Sequence, residues 1–298
     1  MTNVLYNPLA DNKRGEENAK KIKEILKNAE LKFADITKID LHEFINNVPQ
    51  KDKIIIAGGD GTLNYLVNKF SGNVTGHPLY YYASGNGNDF KVDISEKEHG
   101  EIIRLDKYIK DLPIVYVNGG KGVRFLNGVG FGIDGYCCEV GDEMKKKSAK
   151  SINYTSIAIK GMLYDYKPRN AVVTVDGVKH KYNNVWLVPT MNGRYYGGGM
   201  KVAPDQDRLA ADRMLTTMVF HCKSKLKTLT VFPTIFKGKH VEHTDIIDML
   251  TGREITVEFD KPTPLQVDGE TYKSVSHYNA FAKLPEDHNE DNETAANV

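Results

Sequence analysis

Hydrophobic and polar positions follow two different periods in the first third of the chain. Short apolar runs predict strands at residues 3–6, 31–36, 53–57 and 79–83. The run KIIIA at 53–57 is β-branched and ends at two glycines, which is typical of a strand buried on both faces. Apolar residues at helical spacing predict helices at 16–30, 41–47 and 62–70. Strands that alternate with helices predict a parallel α/β sheet.

The pattern changes near residue 112, where short β-rich runs separated by glycine and asparagine turns begin. Two of these runs are joined by Asp176 and Gly177, a dipeptide that favours a hairpin. Helical patterns interrupt the region at 153–166 and 225–236. We therefore predict three parts, which are an α/β domain over residues 1–111, a β-rich domain over 112–285 and an acidic disordered tail over 286–298.

Charge and cysteine content argue against several classes of protein. The chain has 40 Lys and Arg against 39 Asp and Glu, which is too even for a protein that coats nucleic acid. The tail is acidic, so the body is mildly basic and would suit an approach to anionic lipid. Three cysteines without a CxxC spacing argue against a disulfide scaffold and a thiolate zinc site. No apolar leader begins the sequence and no apolar run is long enough to span a bilayer, so we expect a cytoplasmic protein.

Two glycine-rich turns follow predicted parallel strands. The first is GGDGT at 58–62, directly before a helix, and the second is SGNGNDF at 84–90. The carboxyl ends of parallel strands are where α/β folds bind ligands, and the N–H groups of a helix start favour phosphate. Asp60 would repel a phosphate unless a divalent cation lay between them, so the turn indicates a magnesium nucleotide. The alternative interpretation is a tight strand-to-helix turn without a ligand.

Three other patterns carry weaker signals. Residues 130–135 (GFGIDG) satisfy GxGxxG, but no acid follows about 20 residues later and the surroundings are β-rich, so we do not expect an NAD site. His240 and His243 form an HxxH pair without a third ligand, and we interpret them as solvated side chains. The run KKK at 145–147 is a candidate for contact with an anionic membrane.

Six motifs, taken in order, resemble the diacylglycerol kinase catalytic-domain family, which includes bacterial lipid kinases and the sphingosine kinases. They are NP at 7–8, GGDGTLN at 58–64, GNGNDF at 85–90, FLNGVGFGIDG at 125–135, MNGRYYGGGMKVAP at 191–204 and QVDGE at 266–270. GGDG alone is shared with NAD kinases and phosphofructokinases, whereas the ordered series is specific. The resemblance implies a nucleotide-binding α/β domain, a β-sandwich-like domain and an active site in the cleft between them.

The resemblance also implies an activity and the residues that carry it. The expected activity is ATP- and Mg²⁺-dependent transfer of a γ-phosphate to a hydroxyl of diacylglycerol or a related lipid. It would act at a membrane surface, peripherally on its inner face, and the family allows a homodimer. The implied catalytic residues are Glu270 as general base, Asp268 beside it and Asp60 close to the phosphates. The implied ATP-binding residues are Asn7, Thr37, Gly58, Gly59, Asp60, Gly61, Thr62, Asn64, Asn86 and Asp89.

Two further sites are implied by the same resemblance. Relatives of this kind carry a structural Mg²⁺, and the matching ligands here are the Asp212 side chain and the main-chain carbonyls of Leu209 and Met214. Asp134 lies in the stretch that borders the lipid pocket of the family.

The chain departs from the family pattern at four positions, and two alternative functions remain open. Tyr65 stands where Glu is usual, Asn86 where Thr is usual, and Arg213 where Gly is usual, while Pro113 replaces an Asp of a metal-linked network. Shared GGDG keeps open an NAD-kinase-like or other soluble-alcohol kinase. The departures at Tyr65, Asn86 and Pro113 keep open a non-catalytic lipid- or nucleotide-binding protein, against which the retention of Asp60 and Glu270 argues.

Overall fold

A computed structural model describes residues 1–69, 76–85, 88–147 and 154–283, without the side chains of residues 12, 145–147 and 155. The predicted acidic tail, Asn86 and the lysine side chains at 145–147 therefore lie outside the described residues.

The first part of the chain forms a five-stranded sheet in the order β2-β1-β3-β4-β5. Its strands are β1 (Thr2–Tyr6), β2 (Leu31–Asp35), β3 (Lys53–Gly58), β4 (Leu79–Ala83) and β5 (Ile102–Arg104). The first four strands are parallel, as predicted, and β5 is antiparallel to β4. Successive residues of KIIIA point to opposite faces, with Ile54 and Ile56 in one apolar cluster and Ile55 and Ala57 in another. Both faces of the sheet are therefore covered.

Helices on the two faces supply the rest of these clusters. They are α1 (Ala10–Lys13), α2 (Gly15–Lys20), α3 (Ile22–Ile25), α4 (Leu41–Asn47), α5 (Asp60–Lys69), α6 (Asp89–Ile94) and α7 (Asp106–Ile109). The prediction of one helix over 16–30 is wrong, since α2 and α3 are separate and helical structure ends at Ile25. Leu31 pairs with Thr2 at the start of β2, so the intervening residues must turn back to the sheet.

The second part of the chain forms a nine-stranded antiparallel sheet that closes on itself like a sandwich. Its strands are β6 (Ile114–Val117), β7 (Gly122–Arg124), β8 (Gly128–Gly132), β9 (Arg169–Val175), β10 (Val178–Met191), β13 (Leu215–His221), β14 (Ile247–Gly252), β15 (Glu254–Val267) and β16 (Glu270–Phe281), with β11 (Tyr195–Tyr196) and β12 (Met200–Lys201) as a separate pair. The long strand β10 pairs with β9 at one end and with β8 and β13 at the other. Irregularities in β10 and β15 let each strand bend between the two layers.

Helices lie over one face of this second sheet. They are α8 (Ile133–Lys147), α9 (Tyr154–Lys160) and α10 (Lys225–Val231). The helix predicted over 153–166 changes to a π-helical turn at Gly161–Asp165, and the one predicted over 225–236 changes to a 3-10 helix at Phe232–Lys237. Pro233 accounts for the second change, because proline has no N–H for an α-helical bond. No helix among the described residues is long and apolar enough to cross a membrane.

Three turn predictions can be compared with the backbone. Asp176 and Gly177 both have positive φ and join β9 to β10 in the predicted hairpin. The GxGxxG stretch lies on β8, which pairs antiparallel with β10 and β15, so it belongs to no βαβ unit. The interpretation of His240 as a solvated side chain is wrong, since it is fully buried and its Nε2 lies 2.9 Å from the Val202 carbonyl oxygen.

Candidate active site

The two glycine-rich turns meet at the carboxyl edge of the first sheet. The backbone N–H of Ser84 donates to the carbonyl of Gly58 at 2.9 Å. A Cβ placed on Gly85 would lie 2.7 Å from the Cα of Gly59, so the contact requires glycine. Because neither turn carries a side chain at this contact, backbone N–H groups at the edge are open to a close approach by phosphate.

Other predicted nucleotide-binding residues follow the neighbouring strands. Asn7 ends β1, and its Oδ1 accepts from the N–H of Leu9 at 3.0 Å. Thr37 lies just beyond β2 and donates its hydroxyl to Asp35 at 2.7 Å. Thr62 and Asn64 of α5 are both buried, with Thr62 packed against Gly58 and Asn64 Oδ1 bonded to Asn68 at 2.7 Å. These last two side chains face the protein and hold α5 in place.

Three buried polar atoms near this edge have no hydrogen-bond partner among the described residues. They are Asp11 Oδ1, Ser84 Oγ and Asn88 Oδ1. Asn18 joins two of these residues, since its Nδ2 donates to Asp11 at 2.9 Å and to the Ser84 carbonyl at 3.3 Å. Buried polar atoms are ordinarily paired, so this group is suited to a polar ligand. Sequence reasoning missed Asp11 and Asn18, because no motif marks them.

Asp60 links the two glycine-rich turns. Its Oδ2 accepts from the N–H of Asp89 at 2.7 Å and its Oδ1 from that of Phe90 at 3.4 Å, so it caps the start of α6. Burial, together with the nearby carboxylates of Asp89 and Asp268, raises the pKa of Asp60 to about 7, although those two hydrogen bonds oppose the rise. A divalent cation at the phosphate-binding edge would relieve the repulsion of Asp60 by these carboxylates.

Asp89, at the start of α6, connects the first part of the chain to the turn between β11 and β12. Its carboxylate accepts from the N–H of Gly198 at 2.8 Å and of Gly199 at 2.7 Å, both in the YYGGGM segment. Gly197, Gly198 and Gly199 all have positive φ, which favours glycine at each position. Burial nevertheless raises the pKa of Asp89. The Asp89 carboxylate, which was predicted to bind nucleotide, is thus hydrogen-bonded to backbone N–H groups of the YYGGGM segment instead.

A buried ion pair lies one turn further along α6. Asp93 accepts from Arg208 Nε at 2.6 Å and from Arg194 Nε at 2.8 Å. The side chains of Asp93 and Arg208 are each only 4% exposed. Arg208 also donates to the Leu126 carbonyl at 3.0 Å and to Asn127 Oδ1 at 3.1 Å. Sequence reasoning missed this network.

Asp268 and Glu270 occupy the hairpin between β15 and β16, but in different environments. Asp268 accepts from the backbone N–H groups of Leu126 at 2.5 Å, Asn127 at 2.8 Å and Gly128 at 3.0 Å. Burial raises its pKa although these three donors oppose the rise. Its carboxylate is fully used in fixing the hairpin, so we assign it a positioning role rather than a proton-accepting one. Glu270, two residues on, is exposed.

Asp134 begins α8 in a buried polar cluster. Tyr196 donates its hydroxyl to Asp134 Oδ2 at 2.8 Å, while Asp134 Oδ1 has no partner in the part of the chain that the structure describes. Burial raises the pKa of this carboxyl to about 6. Gly130 packs directly against it, since a Cβ there would lie 1.9 Å from Oδ2. The glycine of the GxGxxG stretch therefore serves packing around Asp134.

The residues that the sequence suggests for binding Mg²⁺ lie in two places, at Asp60 and in the loop that precedes β13. In the described ranges, no group of three His, Cys, Asp or Glu side chains is arranged to hold a metal ion. A nucleotide-bound Mg²⁺ does not need such a cage, since it is commonly held by one or two carboxylates together with phosphates. Asp60 fits that role. Leu209, Asp212 and Met214 lie together in the loop that precedes β13, where Asp212 is exposed.

Comparison with known proteins gives the family. Two family models match, "Diacylglycerol kinase catalytic domain" over residues 2–115 and "YegS C-terminal NAD kinase beta sandwich-like domain" over residues 127–282. A diacylglycerol kinase of Mycobacterium tuberculosis is 26% identical over 217 residues, which cover 71% of this chain and 67% of that relative. A crystal structure of a diacylglycerol kinase from Bacillus anthracis has a TM-score of 0.60 and 20% identity, covers 94% of this chain and 93% of that one, and shares its fold. The two models together match most of the chain, so the chain belongs to the family that combines a diacylglycerol kinase catalytic domain with a YegS-type C-terminal domain, and it is a kinase.

Proposed function

We propose that this kinase transfers the γ-phosphate of ATP to a hydroxyl of diacylglycerol or a related lipid. The observation that carries the proposal is a series of hydrogen bonds that links Asp60, at the phosphate-binding edge, to the hairpin that bears Asp268 and Glu270. Asp60 caps α6, and Asp93 of α6 binds Arg208. Arg208 in turn binds Leu126 and Asn127, whose N–H groups donate to Asp268. A phosphate donor and a proton acceptor would thus face each other across the cleft.

ATP would lie along the carboxyl edge of the first sheet. The backbone N–H groups of the two glycine-rich turns would bind its phosphates, and the unpaired atoms of Ser84 and Asn88 would bind its polar groups. Asp60 would hold Mg²⁺ on the phosphates, and the ion would neutralise charge on the transferred group. The domains 1–111 and 112–285 would then contribute the nucleotide and the acceptor respectively.

Glu270 would accept the proton of the lipid hydroxyl. An exposed carboxylate on a fixed hairpin is accessible to substrate, and the three hydrogen bonds of Asp268 hold that hairpin. General-base assistance of this kind needs the carboxylate within hydrogen-bond reach of the hydroxyl. Asp134 Oδ1, which is buried and has no partner among the described residues, would bind a polar group of the acceptor.

The acceptor is tested by phosphate transfer from labelled ATP to lipids in mixed micelles with Mg²⁺. The panel contains diacylglycerol, monoacylglycerol, phosphatidylglycerol, ceramide and sphingosine, together with NAD and glycerol as soluble acceptors. We expect label in one of the lipids. Transfer to a soluble acceptor without micelles would instead support a soluble-alcohol kinase, and ATP binding without any transfer would support a binding protein.

An exposed apolar patch supports the proposal that this kinase acts at a membrane surface. The patch is formed by Met144, Ile159, Leu163, Tyr164 and Leu226, of which Tyr164 is 75% and Leu226 74% exposed. Its segments touch, since Lys225 Nζ donates to the Leu163 carbonyl at 3.3 Å. Exposed lysines accompany the patch at Lys160, Lys167, Lys223 and Lys225. Apolar side chains surrounded by cations suit a bilayer that contains anionic lipid.

We expect Tyr164→Ser combined with Leu226→Ser to weaken binding to anionic vesicles at least about tenfold, because two large apolar side chains no longer enter the bilayer. Vesicle co-sedimentation measures the effect. Val178→Ser removes another exposed apolar side chain, 60% exposed, from the hairpin of β9 and β10 and serves as the control. An equal loss of vesicle binding in both proteins, or no loss in either, would contradict contact between this patch and the bilayer.

Ionisation of Asp60 should make the free protein less stable as the pH rises. In the unfolded chain the carboxyl ionises near 3.8, whereas in the folded protein its pKa is about 7. Stability from the protonated form is therefore complete below pH 4 and is lost as the pH rises through 7, by up to about 4 kcal/mol. Urea unfolding from pH 5 to 8 should show a smaller loss in Asp60→Asn than in the native protein. Asp205→Asn, at an exposed carboxyl, should keep the native slope, and an unchanged slope in Asp60→Asn would exclude Asp60 as its source.

A further inference from the structure

Residues 205–214, here called the bracing loop, connect β12 to β13 and carry Arg208 to the cleft. The guanidinium of Arg208 binds Asp93 of α6, the Leu126 carbonyl and Asn127 Oδ1. Leu126 and Asn127 in turn donate their N–H groups to Asp268. The position of this loop therefore affects both α6 and the hairpin that bears Glu270.

The structural Mg²⁺ implied by the family resemblance does not fit this loop. Its three donors would be the Asp212 carboxylate and the carbonyls of Leu209 and Met214. The Met214 carbonyl already accepts from Gln206 Nε2 at 2.8 Å, and Asp212 Oδ1 accepts from the N–H of Met214 at 3.4 Å. Two of the three donors are thus hydrogen-bonded inside the loop, and Mg²⁺ tolerates little departure from octahedral geometry.

Arg213 supplies a cation to the same loop. It stands where the family usually has glycine, and its φ of 52° lies in the left-handed region that favours glycine. Its Nη1 donates to the carbonyl of Arg208 at 2.9 Å. Arginine is charged at every accessible pH, so the carbonyl-rich loop always contains a positive charge that opposes a divalent ion.

Gln206 completes the closure of the loop. Its Nε2 binds the Met214 carbonyl, and its Oε1 accepts from the Thr216 hydroxyl at 2.5 Å. The two ends of the bracing loop are therefore joined by side-chain donors. A second cation, Lys97, binds Asp207 of the loop at 2.8 Å on its exposed side.

We propose that Arg213, with Gln206, takes the place of a divalent cation in the bracing loop. Arg213 is a positioning residue, which acts by fixing the backbone of Arg208 and so the contacts of Arg208 with Asp93 and Leu126. The loop of this kinase needs no bound metal, and a requirement for Mg²⁺ arises from the nucleotide alone.

The proposal is tested on the full chain without nucleotide, by thermal unfolding in EDTA and in millimolar Mg²⁺ and by titration with Mn²⁺ followed by electron paramagnetic resonance. We expect the same Tm in both solutions and no Mn²⁺ binding that Asp212→Asn removes. A Tm that falls in EDTA, or a Mn²⁺ site lost in Asp212→Asn, would overturn the proposal. Neither readout depends on the lipid kinase activity, so the two proposals fail separately.

Variants of Arg213 separate its side chain from its backbone. Arg213→Ala keeps the unfavourable φ and removes the guanidinium, so its Tm should fall by roughly 2–4 °C. Arg213→Gly combined with Gln206→Ala removes both the guanidinium and the amide that occupies the Met214 carbonyl, and the Tm of this double variant should now rise on addition of Mg²⁺. Arg104→Ala, which removes an exposed guanidinium bonded to Asp106, should leave the Tm unchanged. A native Tm in Arg213→Ala, or no response to Mg²⁺ in the double variant, would contradict the substitution of metal by Arg213 and Gln206.

Discussion

Replacement of Glu270 by glutamine is expected to lower the rate of phosphate transfer about 10²–10⁴-fold, because the amide cannot accept the proton of the acceptor hydroxyl. The binding of ATP should remain, since Glu270 lies on the hairpin of the second sheet and not at the edge that carries the two glycine-rich turns. Stability should also remain, because the side chain is exposed. The measurement is kcat and the KM for ATP with the lipid that the acceptor panel identifies.

A matched control is available on the strand that pairs with β16. Glu258 of β15 is also an exposed carboxylate, and Glu258→Gln should transfer phosphate at the native rate. Undiminished transfer by Glu270→Gln would show that another group accepts the proton. Asp268→Asn should instead lower both activity and Tm, since three backbone N–H groups lose part of their acceptor.

Replacement of Asp93 by alanine is expected to cost about 3–5 kcal/mol of unfolding free energy, the largest stability effect that we predict. The change leaves the guanidinium of Arg208 buried without its carboxylate, and it also removes a partner of Arg194. A lone buried charge is far more costly than the loss of an exposed pair. The measurement is urea unfolding of the free protein at constant pH.

The control for Asp93 is an ion pair close to it. Lys97 and Asp207 also join the two parts of the chain, but their side chains are 53% and 47% exposed. Lys97→Ala should therefore change the unfolding free energy by less than about 1 kcal/mol. If Asp93→Ala and Lys97→Ala lowered the unfolding free energy equally, burial of the ion pair between Asp93 and Arg208 would contribute nothing to stability. Restored stability in the double variant Asp93→Ala, Arg208→Met would support the proposed origin of the loss.

Local patterns were sufficient to predict four strands of the first sheet and the meeting of its two glycine-rich turns. Short apolar runs and the turn residues between them identified β1 to β4. The two glycine-rich turns had to lie together because parallel strands end at one edge of the sheet. The hairpin at Asp176 was equally local. The family resemblance added Glu270 and Asp134, which no periodicity could have indicated.

Contacts between distant residues could not be predicted in this way. Asp93 and Arg208 are 115 positions apart, and nothing in the pattern of either segment points to the other. The same holds for Asp89, whose partners Gly198 and Gly199 come from the turn between β11 and β12. His240 was misjudged because burial depends on how the second sheet folds over it. Such pairings are decided by topology, which is a property of the whole chain.

The way the first sheet depends on later residues has a consequence for synthesis of the protein. Leu126 packs into the apolar cluster of the first sheet, and the Arg208 guanidinium lies 4.8 Å from the centre of the Phe90 ring. A nascent chain that has emerged only as far as residue 111 lacks both groups. The half of the chain that forms the first sheet therefore reaches its final packing only after Arg208 has left the ribosome, and premature termination would leave part of its apolar core open to chaperones and proteases.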